Sequence, residues 1–185
     1  MSHIRDFLAD LEIGAPLSSG RLTIYPLLTN RTARPGYLTL DQALAKGLAH
    51  VSEVGEAGSV PDLLFRNDGD LPVLLLDGEE LVGAKQNRIL NLTILVPAKT
   101  TLKIPVSCVE RNRWSYRSRH FTSSDRAYNA RGRAEKMGQV AAAMATVGAP
   151  RSNQQSVWAN VAATASRAQV HSPTAAMSDV YEQQR

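Results

Sequence analysis

The chain has 185 residues, 43% of them apolar and 21% charged, a balance that suits one globular domain and excludes a collagen, a coiled coil or a charge-rich disordered segment. One cysteine excludes an internal disulfide, and His3, His50, His120 and His171 show no metal-ligand spacing, so no metal is expected. No run approaches the ~20 apolar residues of a membrane span, and residues 1–10 lack the basic start and apolar core of a secretory signal, so the sequence points to the cytoplasm.

Ile4, Leu8 and Leu11, flanked by Phe7, predict a short amphipathic helix that ends near Gly14 and Pro16. Gly20 to Tyr25 reads as a strand broken at Pro26. A second helix opens at Leu38 to Gln42, where Thr39 can cap and Gln42 can reach back as its capping-box partner, and it closes near Gly47. Gly55 to Pro61 reads as a loop or the rim of a strand pair. From Asp62 the period becomes two: Leu63 to Asn67 and Leu71 to Leu76 are strands, punctuated by Asp68-Gly69 and Asp77-Gly78, each a hairpin signal. The meander continues through Gln86 to Val96, turns at Pro97 to Thr100 and returns through Leu102 to Val109. Leu90, Leu92, Ile94 and Val96 share one face there, as do Leu102, Ile104, Val106 and Cys108 on the return, with Lys103 and Ser107 on the other.

Beyond Phe121 alanine, serine and arginine replace β-branched residues. Ser123 or Ser124 is the expected cap of a helix to about Val147, stopped at Gly148 to Pro150. Ser152 to about Gln169 predicts another helix, and Ser172-Pro173 opens a last one to Gln184. The expectation is therefore an α+β fold of one domain, 1–185: a mainly antiparallel β portion over 1–122 with short N-terminal helices, folded as a sandwich or partial barrel, and a C-terminal helical layer over 123–185.

The net charge of +4 is local. Residues 111–136 hold seven arginines and Lys136 against Asp125 and Glu135, a sum of +6, which leaves −2 for the rest. Arginine presents a planar fork suited to carboxylate or phosphate. An anionic partner is one reading; a solvated helix face or subunit interface is the other.

The densest polar constellation lies just before and within this run. Glu79, Glu80 and Glu110 are the candidate acids or bases, and Lys85, Asn87, Arg88, Ser107, Arg113 and Trp114 the candidate ligand-binding residues. Adjacent glutamates on a strand face opposite ways, so one of Glu79 and Glu80 at most serves a given site. Each residue taken singly also fits a turn or strand edge kept polar. Cys108 reads as a packed thiol, and Trp114 as a stacking platform or a core lid. His120 and His171 fall in expected loops and read as ordinary surface or capping residues, with proton shuttles as the alternative. The chain contains neither G-x-G-x-x-G after a strand nor G-x-x-x-x-G-K-[ST], and no resident cofactor is expected.

The stretch Leu75 to Ala98, with Ile104 to Glu110, Arg113-Trp114, His171 to Thr174 and Tyr181-Glu182, resembles the family associated with ADP-ribosylglycohydrolases and rhodanese-phosphatase proteins, from about Arg21 to Arg185. The resemblance implies a link to NAD and ADP-ribose metabolism without an assigned reaction, and a further segment beyond Arg185. The leading expectation is accordingly a cytoplasmic protein that binds or processes an ADP-ribose-like phosphorylated ligand. The alternatives are a homo-oligomeric or protein-interaction module, and a nucleic-acid binder using the arginines with Trp114, Tyr116, Phe121 and Tyr128.

Overall fold

The computed structural model describes residues 2–30 and 35–183 and divides into two compact units, 1–35 and 36–185. The first contains α1 (Ser2–Ala9), then β1 (Glu12–Ile13) paired with β4 (Leu27–Leu28), and β2 (Leu17–Ser19) paired with β3 (Leu22–Ile24). Leu17, Leu22 and Ile24 share one side of the β2–β3 hairpin and are exposed.

The second unit opens with β5 (Leu38–Thr39) and α2 (Leu40–Ala45). The Thr39 hydroxyl accepts from the Gln42 N–H and the Gln42 side chain accepts from the Thr39 N–H, so the expected capping box is present. There follow β6 (Ala49–Glu53), β7 (Asp62–Asn67), β8 (Val73–Leu75), β9 (Glu79–Gly83), β10 (Arg88–Leu90), β11 (Ile94–Val96), β12 (Thr100–Cys108) and β13 (Phe121–Ala127). Six strands form one curled antiparallel half-barrel in the order β13-β9-β10-β12-β7-β6. A smaller sheet, β11-β8-β5, includes the parallel pair β5–β8. Then come α3 (Ala130–Val147), α4 (Gln154–Arg167) and α5 (Met177–Glu182). No helix among the described residues is long and apolar enough to cross a membrane. The architecture is α+β, as expected.

Each face of the curled sheet has its own core. Val51, Leu63, Phe65, Leu81, Leu90, Ile104, Val106 and Phe121 line the inner face, where they meet Leu40 and Ala43 of α2 and Val73, Leu75 and Val96 of the small sheet. Ile89 and Val109 lie on the outer face against Val157, Val161 and Met177 from α4 and α5. Parity explains the split, because neighbours along a strand project to opposite sides.

Four local expectations are corrected. The two Asp-Gly pairs do not close hairpins: β7 pairs with β6 and β12, whereas β8 pairs with β11 and β5. At the first, Asn67 captures the turn, accepting from the Gly69 N–H and donating to the carbonyls of Leu71 and Pro97, and the chain leaves the sheet there. Gln86 to Val96 is likewise not one strand, since β10 belongs to the large sheet and β11 to the small one. The helix expected from Ser123 or Ser124 begins later. Ser123 still pairs with Leu81, a bulge with Asp125 at φ 55° follows, and Asn129 caps α3 through the Gly132 N–H. Gly148 ends α3 at φ 68°. The last helix starts at Met177 rather than Pro173, because Ser172 is spent on the Ala176 N–H and on Asp179; its expected end at Gln184 lies outside the described residues.

Candidate functional site

The inner face carries charge at one end. Register sets Arg88 directly beside Leu81 on one side and Cys108 on the other, and β6 brings Glu53 to the same face beside Leu63. Arg88 is fully buried and Glu53 nearly so. Burial pulls the Arg88 guanidinium below its ordinary range, against the opposing pull of Cys108 and Glu53.

Next to it, Glu110 and Arg113 form a closed pair. Arg113 Nη2 donates to Glu110 Oε2 at 2.6 Å and to Asn87 Oδ1 at 3.2 Å, and Nη1 donates to the carbonyls of Ala84 and Ser115. The Asn87 N–H donates to Glu110 at 3.1 Å. Burial alone would raise the Glu110 carboxyl, but the hydrogen bonds from Arg113 and Asn87 outweigh it and hold the group below the usual carboxylate range. Asn87 also accepts from the Gly83 N–H, tying β9 to the pair.

Trp114 covers this region while remaining 46% exposed. The Arg88 guanidinium carbon and Lys85 Nζ lie 5.5 and 5.4 Å from its ring centre, within cation–π range. Lys85 also donates to the carbonyls of Glu56 and Ala57, fastening the loop that follows β6.

Of the nine residues singled out by sequence, Lys85, Asn87, Arg88, Glu110, Arg113 and Trp114 therefore come together, largely engaged with one another. The other three are elsewhere. Glu79 accepts from the Leu76 N–H at the turn before its strand. Ser107 faces outward, bonded to Asn91 and Ser152 under the approach to α4. Glu80 is on the outer face opposite Ile89. The basic run is also dispersed: Arg126 reaches Glu182, Arg131 reaches Glu135, Arg133 and Lys136 reach Asp77, and Arg111 lies over Trp158.

Glu80 is fully buried, with one oxygen accepting from the Ser124 hydroxyl at 2.9 Å. Burial pushes its carboxyl from 4.5 up to about 7, against Ser124 and Arg126. The folded state thus keeps this proton to higher pH than the unfolded chain does. Its contribution to stability is full below about pH 4.5 and falls as pH rises to about 7. Glu80→Gln, which imitates the neutral form, is expected to flatten that fall and to gain roughly 2–3 kcal/mol over the natural protein at pH 8 in urea unfolding. Identical pH slopes for the two proteins would contradict the assignment.

An open hollow of about 680 Å³ adjoins the buried cluster, lined by Ser52, Glu53, Tyr116, Arg117, Ser118, Arg119 and His120 among others. Arg117 approaches Glu110 Oε1 at 3.7 Å but is 57% exposed, so it spans the cluster and the opening. Arg119 is exposed and makes no ion pair among the described residues. Glu53 belongs to both places: one oxygen accepts from the Lys85 N–H, and Oε2 has no hydrogen-bond partner among the described residues. Sequence reasoning passed over Glu53, although Ala49, Val51 and Glu53 alternate with His50 and Ser52 as strand residues do.

Curled sheet, helical outer layer and a charged end to the inner face define an α+β protein with paired charges built into its sheet and, beside them, an open hollow lined by Glu53, Glu56, Arg117 and Arg119. The family model of the ARG and Rhodanese-Phosphatase-superfamily-associated Protein domain (ARPP-1) matches residues 10–185, and the chain belongs to that family. No curated protein and no solved structure matches the chain.

Proposed function

We propose that the protein binds an ADP-ribose-like phosphorylated ligand in the hollow beside Glu53. The supporting observation is that one opening of ligand size combines two exposed guanidinium groups, an aromatic ring and a buried carboxylate oxygen without a partner. Arg117 and Arg119 suit the phosphates, for which a planar fork gives paired charge-assisted hydrogen bonds. Tyr116 offers a ring to a base, and Glu53 Oε2 an acceptor for ribose hydroxyls.

A ligand that binds the folded state alone raises the melting temperature, by an amount that grows with the logarithm of its concentration above Kd. ADP-ribose at millimolar concentration is expected to shift the melting temperature upward by several degrees, and adenosine, which lacks phosphates, is expected to do nothing. Arg117→Ala/Arg119→Ala should fold normally and lose the shift. An unchanged shift in the double variant rules out this placement.

A second reading, a protein-interaction module, draws on the exposed Leu17, Leu22 and Ile24 of the β2–β3 hairpin, since an isolated two-stranded hairpin is marginal in water. Light scattering separates the two: a monomer over a wide concentration range argues against self-association.

A further inference from the structure

Two buried arginines stand side by side in this fold, and they differ in how far they are satisfied: Arg113 leaves only its Nε without a partner among the described residues. Arg113 donates to the carbonyls of Gly83, Ala84 and Ser115, to Asn87 and to the Glu110 carboxylate. Arg88, fully buried, makes one hydrogen bond, from Nη1 to the neutral Gln86 amide oxygen at 2.7 Å. Its Nε and Nη2 have no hydrogen-bond partner among the described residues, and no described carboxylate is in ion-pair contact with it. Cys108, its neighbour across the ladder, also acts on the guanidinium as a charge and hydrogen-bond partner, but through sulfur, a weak acceptor. Glu53 acts on Arg88 through space, but one of its oxygens is turned to the Lys85 N–H and the other is also unpartnered. A buried guanidinium left in this condition is costly, and replacing such a charge by an apolar side chain often stabilises a protein. The fold therefore carries at this position a cation whose Nε and Nη2 it leaves without partners among the described residues.

Its covering is light. Trp114 lies over Arg88, its ring centre 5.5 Å from the guanidinium carbon, and is itself exposed. Beside it runs the loop between Gly55 and Gly58, both at positive φ, fastened through the Lys85 bonds to Glu56 and Ala57. A Cβ on Gly58 would stand 3.2 to 3.4 Å from Lys85, Glu53 Oε2 and the Trp114 ring, so the loop is seated directly on these three groups.

We propose that Arg88 and Glu53 form an interior subsite for a compact oxoanion that carries its own hydroxyl, phosphate monoanion or a phosphate monoester, admitted by movement of Trp114 and the 55–58 loop. The two free N–H groups of Arg88 take the anionic oxygens. Glu53 Oε2 accepts from the hydroxyl of the phosphate, a contact that attracts a protonated anion and repels a fully ionised one. The subsite consequently selects phosphate over sulfate, which has no proton to offer near neutral pH. It shares Glu53 with the contacts proposed for the hollow but uses neither Arg117 nor Arg119, so phosphate binding here does not depend on ADP-ribose binding there.

The probe is inorganic phosphate. In a Trp158→Phe protein Trp114 is the remaining tryptophan, and its fluorescence is expected to change saturably with phosphate and to stay flat with sulfate at matched ionic strength. Arg88→Met in this background is expected to melt at the same or a higher temperature and to lose at least tenfold in phosphate affinity. Glu53→Gln gives a second test that does not require Arg88→Met to fold: it should respond to sulfate as readily as to phosphate. Arg117→Ala/Arg119→Ala should keep the phosphate response, which separates this subsite from the hollow. The proposal is overturned by equal responses of the unsubstituted site to both anions or to neither, by a phosphate response that survives Arg88→Met, or by full discrimination retained in Glu53→Gln.

Discussion

Truncating Glu110 to alanine is expected to destabilise the protein by about 3–5 kcal/mol, the usual result of removing one partner from a buried ion pair. The carboxylate is fully buried, accepts from Arg113 at 2.6 Å and from the Asn87 N–H at 3.1 Å, and is also approached by Arg117. Its loss would leave Arg113 with neutral acceptors alone beside an Arg88 that already lacks a carboxylate partner. For a domain of this size the melting temperature should fall by on the order of 10 °C. Glu110→Gln keeps the shape and an acceptor and should cost less. The depressed acidity of Glu110 adds a pH signature. Its contribution is complete above the ordinary carboxylate range and disappears as pH falls through the lower folded-state value. A Glu110→Ala protein that melts within a degree or two of the natural one would mean the pair is dispensable.

Asp77→Ala should be of similar size, about 3–5 kcal/mol, and larger than the effect of its partner's removal. Lys136 is nearly completely buried, donates to Asp77 and to the carbonyls of Leu90 and Asn91, and pins α3 to the sheet; Arg133 reaches the same carboxylate at 3.3 Å. Burial draws the lysine below its ordinary range while Asp77 opposes this. Asp77→Ala strands two cations, one of them interior. Lys136→Met replaces the buried lysine stem with an apolar one and leaves Asp77 still paired with Arg133. Chemical unfolding of both variants should rank Asp77→Ala clearly the more damaging; the reverse order would show that the lysine contributes through its charge more than the geometry allows.

The elements written into local sequence were legible. Thr39 and Gln42 announce α2, Gly148 marks the end of α3, and the alternation from Leu102 to Cys108 gives the inner face. What misled were cues whose meaning depends on distant partners. Asp68-Gly69 and Asp77-Gly78 do mark turns, but whether the flanking strands pair is decided by β5, β6, β11 and β12, far away in sequence. Ser123 and Ser124 have the chemistry of helix caps, yet Phe121 to Ser123 pairs with β9 and postpones α3 to Asn129.

The site followed the same division. Opposite projection of Glu79 and Glu80 follows from strand parity, and the structure buries the second while leaving the first at a turn. The proximity of Lys85, Asn87, Arg88, Glu110, Arg113 and Trp114 follows from their placement at one end of two paired strands, before and at the start of β10 and just after β12. That Arg113 is consumed internally while Arg88 is not, and that Glu53 joins them from β6, are consequences of sheet curvature and register, which no short window of sequence contains.

Isothermal titration of the protein with ADP-ribose addresses the functional reading most directly. The predicted outcome is saturable heat at one ligand per chain, abolished by Arg117→Ala/Arg119→Ala; absence of heat at millimolar ligand with correctly folded protein would contradict it.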